Sequence, residues 1–218
     1  MTQPYAFPLR MTAEEYLAFD AAAPEGEKYE FFDGLVVPRH GYDETGTVAM
    51  AGASPDHNLI SGNLAVALIP AARAAGCRYG LSDQRVRSVG QAYTYPDFVL
   101  VCGEPVYSDD TPPVLENPSL VVEIASPSTE GEDRGRKLTA YTALPSVQEY
   151  WVVASEAAEI TQFVRTGDAW RIGRVAGPGA VVRCETLSLD VPLADVYALV
   201  DVGEAHPYGR SRSWARRA

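Results

Sequence analysis

Lysine is almost missing from this chain. Of its 18 basic residues only Lys28 and Lys137 are lysines, and the other sixteen are arginines. Positive charge as a whole is scarce, because 29 acidic residues leave a net charge of −11. The deficit is uneven. The last thirteen residues, HPYGRSRSWARRA, hold four arginines and no acid, so the rest of the chain carries 14 basic against 29 acidic groups. Affinity for a nucleic-acid backbone comes from cationic contacts, and this composition argues against a protein that coats nucleic acid non-specifically. The basic end, residues 206–218, reads as a solvated, disordered tail that could touch phosphates.

Long apolar runs are lacking too. No stretch approaches the roughly 18 apolar residues that span a bilayer, so no membrane partner is expected. The opening MTQPYAFPLR has no apolar run behind a basic segment and does not read as a secretory signal. There are three cysteines, Cys77, Cys102 and Cys184, an odd count without metal-ligand spacing. They are expected to be reduced thiols of a cytoplasmic protein, not a disulfide framework.

What remains is an ordinary globular composition, 46% hydrophobic and 22% charged over 218 residues. That length supports one sizeable core, read here as a single domain over residues 1–205. Thr12 followed by Glu15 has capping-box spacing and starts a short helix through EEYLAFDAA. KYEFFDGLVVP reads as a hairpin turning at Asp33-Gly34. A turn-rich connection over Gly46 to Gly52 leads to Ser54-Pro55-Asp56, which opens the amphipathic helix HNLISGNLAVALIPAARAA. Gly76 ends that helix, and Pro70 is expected to kink or shorten it. RYGLSDQRVRSV and FVLVC read as strands, a loop with four prolines spans 103–118, and LVVEIA is an apolar strand. RKLTAYTAL reads as a helix stopped by Pro145, VQEYWVV as a strand, and EITQFVRT with AWRIGRV as a late hairpin. The expectation is a mixed α/β fold, one central mixed sheet flanked by helices, with an N-terminal helix and hairpin.

Within LVVEIA the odd residue is Glu123. A buried carboxylate is costly unless it is paired, protonated or bound to a metal. Asp97 begins the preceding apolar strand, and sequential strands are often neighbours, so both carboxylates can point into one cleft. Two carboxylates plus a backbone carbonyl form an all-oxygen site of the kind Mg²⁺ or Mn²⁺ prefers. The bland alternatives are an ion-paired or protonated Glu123 and an Asp97 that caps a turn. Lys137 is the third piece, because a chain that otherwise chooses arginine has placed a compact ammonium there. Asp133 and Lys137 lie at i,i+4, which also allows a helix-surface salt bridge. Tyr150 and Trp151 sit in a strand built for burial and read as core.

The ordered blocks YEFFDG (29–34), SPDH (54–57), YPDFVLV (95–101), VVEIASPST (121–129), DRGRKLTAY (133–141) and VQEYWVV (147–153) resemble the restriction-endonuclease-like nucleases of the PD-(D/E)XK type. Within them the chain is similar to the bacterial Uma-two family, and the resemblance covers most of residues 10–200. In the parent motif a lysine follows the glutamate by two residues, where this chain has Ala125. The resemblance is to the variant that carries its lysine on the following helix, here Lys137.

The resemblance implies a Mg²⁺- or Mn²⁺-dependent endonuclease that hydrolyses phosphodiester bonds in DNA, with a homodimer suited to duplex cleavage. By position, Asp97, Glu123 and the carbonyl of Ile124 would bind the metal. Lys137 would orient the attacking water or stabilise charge on the phosphate. Glu30 matches the family's upstream acid, with an exposed strand glutamate as its alternative reading. His57, at a helix start where the dipole disfavours its charged form, is a further candidate beside a structural helix-start role. Ser126, Asp133 and Tyr141 are expected to support these groups. Two rival functions stay open: an inactive module that keeps the nuclease fold for binding, and a hydrolase of small phosphate compounds.

Overall fold

The computed structural model describes residues 9–24, 27–39, 54–125, 131 and 134–202. The Gly46–Gly52 connection and the tail at 206–218 lie outside the described residues, as do Ser126 and Asp133.

The chain begins with β1 (Leu9–Arg10), α1 (Ala13–Ala21), β2 (Tyr29–Phe32) and β3 (Leu35–Pro38). Helix α1 starts as its spacing predicts. Thr12 Oγ1 accepts from the Glu15 amide at 3.2 Å, and Glu15 Oε2 accepts from the Thr12 amide at 2.7 Å. Strands β2 and β3 pair antiparallel with Phe32 opposite Leu35. The two residues between them, Asp33 and Gly34, have φ of 48° and 84°. Positive φ at both turn positions matches the right-handed twist of the strands, which is why Asp-Gly suits this turn.

Helix α2 (Pro55–Ala74) is capped by Ser54 and runs through Pro70 unshortened. The carbonyl that Pro70 cannot bond belongs to Val66, whose side chain lies on the exposed face of the helix. The sheet strands follow as β4 (Arg78–Leu81), β5 (Val86–Ser88), β6 (Ala92–Thr94), β7 (Phe98–Val101) and β8 (Leu120–Ala125). Helix α3 (Arg136–Thr142) leads to β9 (Glu149–Ala154), the hairpin β10 (Glu159–Thr166) and β11 (Ala169–Ala176), then β12 (Val181–Cys184), β13 (Leu189–Pro192) and the short α4 (Leu193–Val196).

The strands form more than the one sheet expected. A five-stranded sheet has the order β1-β3-β2-β6-β5, a six-stranded sheet the order β11-β10-β9-β8-β7-β4, and β12-β13 form a ladder of their own. The reason lies in RYGLSDQRVRSV, which is two strands. Its first part pairs with β7 and its second with β6, so the chain changes sheet across Ser82–Arg85. The bend is tight: a Cβ on Gly80 would stand 2.7 Å from the Gln84 side chain and 3.0 Å from Val99, so only glycine fits.

Strand β8 lies in the middle of the larger sheet, antiparallel to β7 and parallel to β9. Both of its faces are covered, which explains its nearly unbroken apolar run. Leu120, Val122 and Ile124 pack with Trp151 and Val153 against Ile60, Leu64 and Leu68 of α2. Each of these buried side chains contributes about 2 kcal/mol from apolar burial. Val121 and Ala125 face the other way, toward Tyr141, Leu144 and Tyr150. Period-two alternation puts Glu123 on that second side, beneath α3.

The cysteine expectation is corrected. Cys77 and Cys102 form a disulfide, and only Cys184 is a free, buried thiol. Arg78 pairs with Val101, so the residues one step further, Cys77 and Cys102, face each other across two strands. Their spacing of 25 residues gives no hint of this without the register. Among the described residues no helix is long and apolar enough to cross a membrane.

Candidate active site

The link from β6 to β7 is only Tyr95-Pro96-Asp97, and it carries the chain from one sheet to the other. Asp97 therefore sits at the seam. The β7·β8 register pairs Phe98 with Val122, so one residue earlier Asp97 stands opposite Glu123. Strand β2 of the smaller sheet brings Glu30 to the same seam, and α3 lays Lys137 over it. All four residues are at least 96% buried.

Lys137 Nζ lies 3.1 Å from Glu30 Oε1 and 3.3 Å from Glu123 Oε1, so one ammonium bridges acids from two sheets. Glu30 Oε1 also accepts from the Tyr95 amide at 3.0 Å. Burial pushes the Glu30 carboxyl up, and the Lys137 charge and the Tyr95 amide pull the other way. Glu123 Oε1 accepts from the Tyr141 hydroxyl at 2.8 Å, and that hydroxyl also lies 2.8 Å from Thr94 Oγ1. Burial and the Glu123 charge raise the Tyr141 phenol well above its ordinary value, which keeps it a donor.

Asp97 has different company. Its Oδ1 accepts from Arg39 Nη2 at 2.7 Å and its Oδ2 from the Ile124 amide at 2.7 Å. His57 Nε2 lies 3.4 Å from Oδ2. Burial opposes ionisation of Asp97, yet the His57 contact, the Arg39 charge and the Ile124 amide together hold its carboxyl at about 2. Arg39 Nη1 is anchored in turn on the Ser82 carbonyl at 3.2 Å.

Sequence comparison decides the family. Residues 13–194 match the family Uma2, described as "Putative restriction endonuclease". The chain belongs to the Uma2 family. Two uncharacterized proteins of Synechocystis sp. are among its relatives. The protein slr1290 is 34% identical over 165 residues, 75% of this chain and 79% of that one. The protein sll1609 is 29% identical over 174 residues, 79% and 91% of the two chains. The fold matches the crystal structure of a "putative nuclease" from Anabaena variabilis with a TM-score of 0.66 at 14% identity. That match covers 86% of this chain and 98% of the other.

In this Uma2 chain the structure brings together Glu30, Asp97, Glu123 and Lys137, with Tyr141 and His57 touching them directly. Lys137 is buried, so it is not a surface helix lysine, and Glu30 is not an exposed strand residue. Tyr150 and Trp151 are fully buried in the core. Sequence reasoning missed Arg39, the partner of Asp97. With sixteen arginines in the chain nothing singles this one out before folding. Lys28 was missed as well: it lines a pocket beside Asp97 with Arg39 and His57. The scarcity of lysine was a usable signal, because both lysines stand at this seam.

Asp97 and Glu123 are oxygen-only donors on facing positions, a set that suits a hard divalent cation. Among the described residues no three His, Cys, Asp or Glu side chains converge to hold a metal by themselves.

Proposed function

We propose that this Uma2 protein is a Mg²⁺- or Mn²⁺-dependent endonuclease that hydrolyses phosphodiester bonds, with DNA as its substrate. The observation that carries the reading is the placement of Lys137 Nζ between Glu30 and Glu123, with Asp97 facing Glu123 across the sheet. Asp97, Glu123 and the Ile124 carbonyl would hold the cation. When bound, it supplies Lewis acidity that draws charge from the phosphate oxygens. Lys137 orients the attacking water and offers positive charge to the phosphate as bonds exchange, and Glu30 fixes the ammonium from its far side. Tyr141 donates to Glu123 and holds that carboxylate in place. Cutting both strands of a duplex calls for two such centres, which a homodimer provides.

Plasmid and single-stranded DNA incubated with Mg²⁺, Mn²⁺ or EDTA test the activity. Cleavage with metal and none in EDTA is expected, and absence of cleavage in every condition overturns the assignment. Titrated Mn²⁺ should also raise the melting temperature in proportion to the logarithm of its concentration. A second reading, hydrolysis of small phosphate compounds, is favoured by the net charge of −11, which suits a compact substrate better than a long polyanion. Nucleotide and bis-phosphoester substrates separate the two.

A further inference from the structure

Beside Asp97 lies a pocket of about 190 Å³. Two cations meet in its wall. Lys28 Nζ and Arg39 Nη1 both donate to the Ser82 carbonyl, at 3.3 and 3.2 Å. A single carbonyl oxygen thus holds two positive charges side by side against their mutual repulsion. Their counter-ions are unequal. Arg39 has the buried Asp97, whereas Lys28 has Asp83, whose side chain is 91% exposed. An exposed ion pair contributes at most about 1 kcal/mol, so Lys28 can trade Asp83 for a better anion at little cost.

The opposite wall is the first two turns of α2. Asn58 and Ser61 present an amide and a hydroxyl there, beside His57, at the positive end of a 20-residue helix. His57 Nδ1 is buried and has no hydrogen-bond partner among the described residues. Asp97 belongs both to this pocket and to the carboxylate pair, so pocket and centre share a wall.

We propose that the pocket of Lys28, Arg39, His57, Asn58 and Ser61 is a second phosphate subsite, which grips a phosphate next to the one attacked at Asp97 and Glu123. Convergent cations and amide and hydroxyl donors are the complement of a phosphoryl group, and the volume suits one such group with its ester carbons. The subsite rests on the phosphodiester reading above for its place in the reaction. Its ligand chemistry is shared by an internal backbone phosphate and by the terminal phosphate of a strand end.

The test is calorimetric titration of the full chain in EDTA with inorganic phosphate, and with one short oligonucleotide with and without a terminal phosphate. Saturable phosphate binding is expected. Lys28→Met should weaken it about tenfold or more, the scale of one hydrogen bond to a charged group. Asp83→Asn should tighten it severalfold by removing the competing carboxylate. Tighter binding of the terminally phosphorylated oligonucleotide assigns the subsite to strand ends, and equal binding, weakened alike by Lys28→Met, assigns it to internal phosphates. No saturable phosphate binding, or binding indifferent to both substitutions, overturns the proposal. Cleavage with Mn²⁺ is scored separately. Phosphate binding without cleavage defeats the nuclease reading and leaves the pocket, while cleavage without phosphate binding does the reverse.

Discussion

Two glutamates are buried in adjacent strands of the larger sheet, and they are buried in opposite ways. Glu149, in β9 beside Leu120 of β8, is fully enclosed. It accepts from Trp151 Nε1 at 2.6 Å, Gln162 Nε2 at 2.6 Å, and the amide and hydroxyl of Thr186 at 2.9 and 2.8 Å. The Cys184 thiol lies 3.8 Å away, its own titration pushed up to about 12 by burial and by the Glu149 charge. All of these partners are neutral and fixed. Glu123 instead shares an ammonium with a second acid and faces a third. Burial of an acid is therefore not itself a mark of function. What distinguishes the two is the kind of partner: neutral dipoles fit one carboxylate permanently, whereas a lysine among several acids can be displaced or can act.

The largest test of that contrast is Lys137→Ala. It should lower cleavage about 10²–10⁴-fold, the range for a positioned acid–base or water-orienting group. Ala125 shares its face of β8 with Glu123, so a lysine placed there projects toward the same acids. Lys137→Ala with Ala125→Lys should recover part of the rate, whereas Ala125→Lys alone should lower it by crowding. Full activity in Lys137→Ala would remove the lysine from the reaction.

Next comes Glu149→Ala, which takes the carboxylate acceptor from Trp151 Nε1, Gln162 Nε2, the Cys184 thiol and the amide and hydroxyl of Thr186. Urea unfolding should show a loss of about 3–5 kcal/mol, with the Mn²⁺ response of the surviving folded protein unchanged. A loss under 1 kcal/mol would contradict its structural role.

A smaller effect is expected from acid. Asp97 titrates at about 2 in the fold and near the ordinary carboxylate value when unfolded. A depressed pKa contributes stability above the unfolded value, lost as pH falls toward the folded one. In EDTA the stability advantage over Asp97→Asn should therefore shrink by about 2 kcal/mol between about pH 5 and pH 2. Glu30, raised by burial, works in the opposite sense, and comparison with the Asp97 variant cancels it. An advantage that does not change with pH would show that Asp97 is not held ionised by its partners.

The smallest change is expected for the stability of Glu123→Gln. Shape is kept, a buried charge is removed, and Lys137 retains Glu30, so unfolding free energy should move by less than about 1 kcal/mol while the Mn²⁺ response disappears. A collapse like that of Glu149→Ala would erase the distinction between the two glutamates.

Most of the elements are legible in the sequence because local rules write them. The Thr12 capping box, the Asp33-Gly34 turn and the apolar run of β8 all fold as their patterns state. Glu30, Asp97, Glu123 and Lys137, which the fold brings together, were legible as types at family spacing. What could not be read was everything fixed by register between distant strands. The division into two sheets hinges on a bend at Gly80 that looks like strand. The Cys77–Cys102 disulfide needs the β4·β7 register, and the pairing of Arg39 with Asp97 spans 58 residues. Glu149 shows the converse, since the reasoning that singled out Glu123 applies to VQEYWVV and would have chosen a residue whose partners are all neutral.

The seam between the sheets also sets when the centre can exist. Glu30 meets Tyr95 across 65 residues of chain, and Lys137 reaches back to Glu30 from beyond β8. Contacts of such sequence separation cost more loop-closure entropy than those of a local hairpin or helix. A nascent chain or a collapsed intermediate can hold β2–β3, α1 or α2 without bringing any two of the acids to Lys137. Whatever activity the seam carries therefore depends on long-range docking and cannot be supplied by any one local hairpin or helix.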